Sequence, residues 1–321
     1  METVACNLCG SERHTAVYQM PDRLFFPNEF FTVVACDQCG LGFVNPRPGI
    51  SEMQKYYPPE YHQGGPTPAY TRYLLSRFAA EAKYLQPLET GGGRKRLLDV
   101  GCGTGEFPRF MAARGWDVEG VEISPAARSI SDFPVYAQEF HEIPVEQPVY
   151  DAVTAWAVLE HVHDPRAYFQ KAARVLKPGG LFVFLVTNFH STASRHLFCE
   201  DVPRHLYFFT RETVARYLDA AGFALIQESN GRDIYKMAPV NWLTYMLRKG
   251  LGKAYHYRDV PLTNKEFRRV HHLEPGLAAA VKYAVYSPAS VLDRMLWPVL
   301  EAAQVLAKSY GISTFVARKA S

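Results

Sequence analysis

Leu97-Leu98-Asp99-Val100-Gly101-Cys102-Gly103-Thr104-Gly105-Glu106-Phe107 is the stretch that decides the fold. Its first four residues read as a buried strand, three alternate glycines follow, and a helix begins at once with Phe107, Phe110 and Met111 facing inward. Without Cβ atoms, glycines let the backbone turn tightly and come close to a ligand, while the N–H groups of the helix start point into the same space. In an open α/β sheet that space is the crevice at the carboxyl ends of the strands. A bare G-x-G-x-G is a weak signal, since a dinucleotide-binding fold would suit it too.

Outward from this turn the pattern repeats. Asp117 to Glu122, Asp151 to Trp156 and Leu181 to Thr187 read as further strands. Asp164-Pro165 opens a helix by N-cap and first-turn logic, with Tyr168, Phe169, Ala172 and Leu176 on one face. Alternating strands and helices require a mostly parallel sheet covered on both faces, so the expected class is α/β, a doubly wound Rossmann-like sheet. Thr210 caps another helix, Phe223 to Glu228 forms a strand, and Ser313 to Ala317 is expected to pair with it. The helical stretch between them then becomes an insertion before the last strand.

Two features separate the glycine loop from a nicotinamide fingerprint: Asp99 precedes the glycines, and Glu122 ends the next strand, where a carboxylate can accept both hydroxyls of a ribose. The loop resembles motif I of the class I S-adenosylmethionine-dependent methyltransferases. The likeness continues in order through Val118 to Ser124, Tyr150 to Val153, Leu159 to Pro165 and Leu176 to Gly180, covering about residues 95 to 230. It implies that Gly101, Cys102, Gly103 and Gly105 contact the methionine and ribose part of the cofactor S-adenosylmethionine. It further implies that Asp99 orients the loop or the amino group and that Glu122, followed by Ile123, holds the ribose. Glu139 stands where an Asp usually meets the adenine amine, and Ala155 and Trp156 would line the methyl side. Cys102 itself is expected to be packed within the turn.

Methyl transfer needs an aligned acceptor and often a base. The candidates are His161, His190 and His205, after the fourth and fifth strands of the core, with His205 foremost. Glu200 to Thr210 resembles a segment of zinc-ribbon methyltransferases from sugar and cell-surface glycan pathways. Some of those carry a Glu-His pair where this chain has Arg204-His205. The stretches Cys39 to Pro48 and Tyr56 to Tyr61 resemble the connector of the same group, whose tyrosines either close over the cofactor or pack as a staple.

Cys6-Asn7-Leu8-Cys9 and Cys36-Asp37-Gln38-Cys39, separated by 26 residues, supply four thiolates from two turns. That is the donor set of tetrahedral structural zinc, with Gly10 and Gly40 suited to the turns. Four buried thiols or a redox dithiol are the competing readings. The expected divisions are 1–48 zinc ribbon, 49–94 connector and helix, 95–232 cofactor-binding core, 233–310 helical insertion and 311–321 closing strand.

Composition bounds the partners. Of 321 residues 48% are hydrophobic and 21% charged, which excludes a disordered chain, and the net charge of +3 does not call for nucleic acid. No signal-like start or apolar run of about 18 residues is present, so the expectation is a cytosolic, reducing address without a transmembrane helix. From Lys236 to Glu274 the basic residues exceed the acidic ones and tyrosines interleave, a pattern suited to an anionic acceptor, a lipid-linked one, RNA or plain solvation. Leu292, Met295, Leu296 and Val299 recur at helical spacing around Pro298, as a packing face or homodimer seam ahead of a peripheral membrane contact. The expected function is S-adenosylmethionine-dependent methyl transfer to O or C of a small-molecule or glycan-type acceptor. The alternatives are an RNA methyltransferase and a non-catalytic cofactor-binding scaffold.

Overall fold

Parallel strands cannot be joined by tight turns, so each helix of the alternating core must cross a sheet face between successive strands. The computed structural model of the chain shows this arrangement and describes residues 1–58, 68–89, 92–124, 132–197, 199–235, 242–254, 256 and 289–320. Its strands are β1 (His14–Pro21), β2 (Phe30–Cys36), β3 (Gly42–Val44), β4 (Arg96–Val100), β5 (Asp117–Val121), β6 (Val135–Tyr136), β7 (Tyr150–Trp156), β8 (Leu176–Thr187), β9 (Tyr207–Phe208), β10 (Phe223–Ser229) and β11 (Ile312–Lys319). The chain divides into two units, one of Met1–His62, Thr187–Thr210 and Lys236–Gly311, the other of Gln63–Val186, Arg211–Tyr235 and Ile312–Ser321.

The second unit holds a seven-stranded sheet in the order β10-β11-β8-β7-β4-β5-β6. β4 pairs parallel with β5 on one side and β7 on the other, and β7 pairs parallel with β8. Leu97, Leu98 and Val100 on β4, Ala152, Val153 and Ala155 on β7, and Leu181 to Leu185 on β8 are all buried, as strands covered on both faces require. The helix Pro165–Val175 starts where Asp164 accepts the Ala167 N–H at 3.1 Å, and its Phe169 ring stacks on Tyr217 of the helix Arg211–Ala220 at 4.9 Å. β11 returns antiparallel to β10, as expected for a closing strand after an insertion.

The first unit is built on a four-stranded antiparallel sheet, β1-β2-β3-β9. Phe43 of β3 pairs with Tyr207 of β9, which draws the segment 187–210 to the amino-terminal strands. Arg204 is fully buried there. It donates to both oxygens of Asp22 at 2.8 and 3.2 Å and to Asp201 at 2.6 Å, and a further N–H reaches the Tyr56 carbonyl at 2.9 Å. The cofactor-binding core, read from the sequence as continuous over 95–232, is thus interrupted, because strand pairing and this buried cation assign residues 187–210 to the other unit.

The insertion is helical where it is described, as Trp242–Gly250 and Ala289–Leu306 with Pro298 inside the second helix. Trp242 and Tyr245 join Leu197 in an apolar cluster against which Trp297 and Leu300 pack. The stripe of Leu292, Met295, Leu296 and Val299 is exposed, up to 71% at Met295, so among the described residues it is not an internal packing face. Much of the basic tract, including Lys236, Arg258, Lys265, Arg268 and Arg269, lies outside the described residues, as does Tyr61. No helix among the described residues is long and apolar enough to cross a membrane.

Candidate active site

Strand order in the second unit reverses beside β4: β5 and β6 follow to one side, and β7 starts the other. Ligands of doubly wound sheets sit at that switch point, outside the carboxyl ends of the strands. Val100 and Ala155 are register partners across β4 and β7, so the glycine loop and Trp156 leave the sheet side by side.

The loop backbone explains its composition. Gly101 and Gly103 have φ of 68° and 55°, where a side chain strains the chain. A Cβ on Gly101 would lie 2.6 Å from Val158 Cγ2, whereas one on Gly103 meets nothing within 4 Å among the described residues. Gly103 therefore presents bare backbone with no described side chain over it. Its N–H donates to Glu122 Oε2 at 3.0 Å, and Ser124 N–H donates to Glu122 Oε1 at 2.7 Å. Those two bonds orient the carboxylate. Ile123, next in the chain, is exposed.

Asp99 is 3% exposed and accepts the Thr154 hydroxyl at 2.6 Å. Burial, reinforced by the charge of Glu81, pushes its carboxyl up to about 8 despite that bond. Cys102 packs inward against Gly120, where an added Cβ would lie 2.5 Å from its sulfur. Ala155 is buried, and Trp156 sets its ring edge-on to Phe107 at 5.5 Å while its buried indole N–H has no hydrogen-bond partner among the described residues. Ala157, next after β7, has φ of 57°, a strained conformation for a side chain with Cβ and one that marks the strand end. Glu139 accepts the Tyr168 hydroxyl just ahead of the short 3-10 turn Phe140–Glu142.

The histidines divide between the units. His161 lies in the second, its N–H bonded to the Val158 carbonyl at 2.9 Å. His190 and His205 lie in the first, His190 being exposed. His205 Nδ1 is 2.7 Å from Glu200 Oε2, and the other Glu200 oxygen accepts the Ser194 hydroxyl. The carboxylate paired with His205 thus comes from five residues upstream, while Arg204 beside it is turned to Asp22 and Asp201. Tyr56 is buried in the first unit, bonded to Glu29 at 2.7 Å, and so acts as a packed staple.

A buried pair was missed at the sequence level. Arg77 donates to Glu81 at 2.6 Å along the helix Pro68–Lys83, and its guanidinium lies 4.3 Å from the Tyr235 ring centre. The signal is the spacing: a basic and an acidic residue four positions apart on a helix share one face and can pair. Burial pushes Glu81 up to about 7 against the pull of Arg77.

In the first unit the ligating atoms of Cys6, Cys9, Cys36 and Cys39 all lie within 4.8 Å of one another, with sulfur pairs at 3.4 and 3.5 Å. A metal bound tetrahedrally at about 2.3 Å sets its sulfurs about 3.8 Å apart, so the four thiols fit such an ion. Gly10 and Gly40 take φ of 75° and 78° and return their N–H groups to the carbonyls of Cys6 and Cys36, making two like turns. The hydrogen bond from Cys39 holds the Cys6 thiol down at about 5 while Cys6 pushes Cys39 up, a conflict that a divalent cation would relieve. The geometry fits a metal better than four inert thiols.

Residues 70–228 match the family model described as "Methyltransferase domain". Over these residues the chain is a methyltransferase domain. Two curated relatives are each a "Ubiquinone biosynthesis O-methyltransferase", from Alkalilimnicola ehrlichii and Nitrosomonas europaea. The first is 38% identical over 29% of this chain and 42% of its own length, the second 34% identical over 33% and 49%. The match thus spans about half the length of these relatives. Among solved structures, an S-adenosylmethionine-dependent methyltransferase from Archaeoglobus fulgidus is 17% identical with a TM-score of 0.46, covering 76% of this chain and 95% of that one. The open cradle at Gly103, the oriented Glu122 carboxylate and the unpartnered Trp156 indole fit the cofactor of this methyltransferase domain.

Proposed function

We propose that the protein transfers a methyl group from S-adenosylmethionine to an oxygen of a small-molecule acceptor. The observation that carries the reading is the cradle at the switch point, with bare backbone at Gly103 bonded to Glu122 and opening beside Trp156. When bound, the cofactor supplies an already activated methyl group, so the chain's task is mainly to position and desolvate.

In this reading Glu122 holds the ribose hydroxyls and the loop 101–105 lies against the amino-acid part. Asp99 underpins the loop from the core, Glu139 borders the adenine, and Ala155 with Trp156 borders the transferred methyl. His205 is the base. The Nδ1–H that it gives Glu200 selects the tautomer whose Nε2 is basic, and the buried carboxylate stabilises the imidazolium formed on taking the acceptor proton. His161 and His190 are secondary candidates. The names of the curated relatives support oxygen and a small molecule as the acceptor, ahead of carbon or a glycan. Zinc on the four thiolates would be structural, since sulfur fills every position and no site is left for substrate.

Titration calorimetry with S-adenosylmethionine should show binding to the full chain. Gly103→Val should lower the affinity at least about tenfold while the circular dichroism spectrum is kept, since the added side chain fills the cradle. Unchanged affinity would remove the proposed pocket. Label transfer from methyl-labelled cofactor to a panel of small hydroxylated acceptors then tests the reaction.

A further inference from the structure

Away from the glycine cradle, the first unit carries a cleft of about 840 Å³ whose walls include Tyr18, Arg195, His196, Tyr245, Lys249, Lys253 and His256. Among the described residues no acidic side chain lines it. Among the described residues none of Arg195, Lys249 and Lys253 forms an ion pair. The Arg195 guanidinium lies 4.9 Å from the Phe189 ring centre, and Lys249 Nζ lies 5.7 Å from that of Tyr245. The His196 and Tyr245 rings stack at 5.5 Å and 20°, giving the cleft a flat wall between the cations. Burial and the charges of Arg195 and Lys249 hold His196 below its ordinary value, which marks the positive field. Glu200, whose field reaches Tyr18, is engaged by Ser194 and His205.

Three cations facing one concavity without counter-charge among the described residues repel one another, and that repulsion turns to attraction when a multiply charged anion enters. A guanidinium matches the oxygens of a phosphoryl group, and two flexible ammonium groups follow a second one. The volume is that of a small-molecule site and exceeds what a single inorganic anion needs.

We propose that this cleft binds a phosphate ester carrying a diphosphate-like charge, with Arg195, Lys249 and Lys253 on the phosphoryl oxygens and the His196–Tyr245 wall against the organic part. Such a group comes either from a soluble nucleotide-type ligand or from a lipid headgroup. The lipid source has a physical basis, because Leu247 and Leu251 beside Lys249, and Met295 and Val299 on the neighbouring helix, are exposed.

The inference does not rest on methyl transfer, and its test reads binding directly. Calorimetric titration of the full chain with inorganic pyrophosphate should show binding that weakens at least about tenfold in the double variant Lys249→Gln/Lys253→Gln. Arg195→Gln, made separately, carries the same expectation, so the test does not depend on one variant folding. Affinity for S-adenosylmethionine should be unchanged in both, which distinguishes this site from the cradle at Gly103. Adenosine diphosphate binding more tightly than pyrophosphate supports the site with a soluble ligand. Displacement of pyrophosphate by phosphatidylcholine vesicles containing phosphatidic acid, but not by phosphatidylcholine alone, supports it with a lipid source. Absent pyrophosphate binding, or binding kept by the folded variants, overturns the proposal.

Discussion

Asp99 shows what burial does to a single side chain. Its position before the glycines marks it as a cofactor-loop residue, yet the structure turns it into the core, where its carboxyl titrates at about 8 rather than near the usual 3.8. A carboxyl whose folded value is raised binds its proton more tightly in the folded state. Stability from this group is therefore full below about pH 4, declines as pH rises and stops declining above about 8. Asp99→Asn keeps an acceptor for the Thr154 hydroxyl and cannot ionise. Urea unfolding between pH 5 and 9 should show a flatter stability profile for the variant than for the wild type, and parallel profiles would contradict the assignment. At His205 the lesson is similar. The carboxylate bonded to it, Glu200, stands five residues upstream, at a position that no local pairing indicates.

At the scale of elements, the strand–glycine–helix unit was legible because its constraints are local. Alternate glycines, a buried strand and an immediate helix admit few other conformations. The capping of Pro165–Val175 by Asp164 was legible for the same reason. What stayed hidden is how β5 meets the loop. Gly120 of β5 must lack a side chain because Cys102 Sγ occupies that space. Gly120→Ala should thus destabilise the protein by about 1–3 kcal/mol through overpacking. Cys102→Ala should recover part of that loss, since the two sites share the same volume. Thermal unfolding of the two single variants and the double variant checks the coupling, and strictly additive losses would refute it. The helix Pro68–Lys83 falls in the stretch expected only as connector and helix, and the Arg77–Glu81 pair stays hidden there because each residue is ordinary until the helix packs.

For the whole molecule, the four-cysteine cluster and the divided chain matter most. Structural zinc contributes its binding energy to folding, so Cys6→Ser should lose bound metal and lower the stability of the first unit. Native mass spectrometry on the wild type and the variant should show about one zinc per chain in the former only, and retention of zinc by the variant would count against the site. By itself, the sequence determined the α/β class, the glycine turn, the closing strand and the spacing of the four cysteines. Each follows from periodicity or from residue types a few positions apart, where backbone geometry leaves little choice. The tertiary structure alone decided that residues 187–210 join the amino-terminal sheet, that Arg204 is a buried anchor, and that Arg195, Lys249 and Lys253 line one cleft. Those outcomes depend on strand register and on packing between residues far apart in the chain, which short-range pattern does not encode.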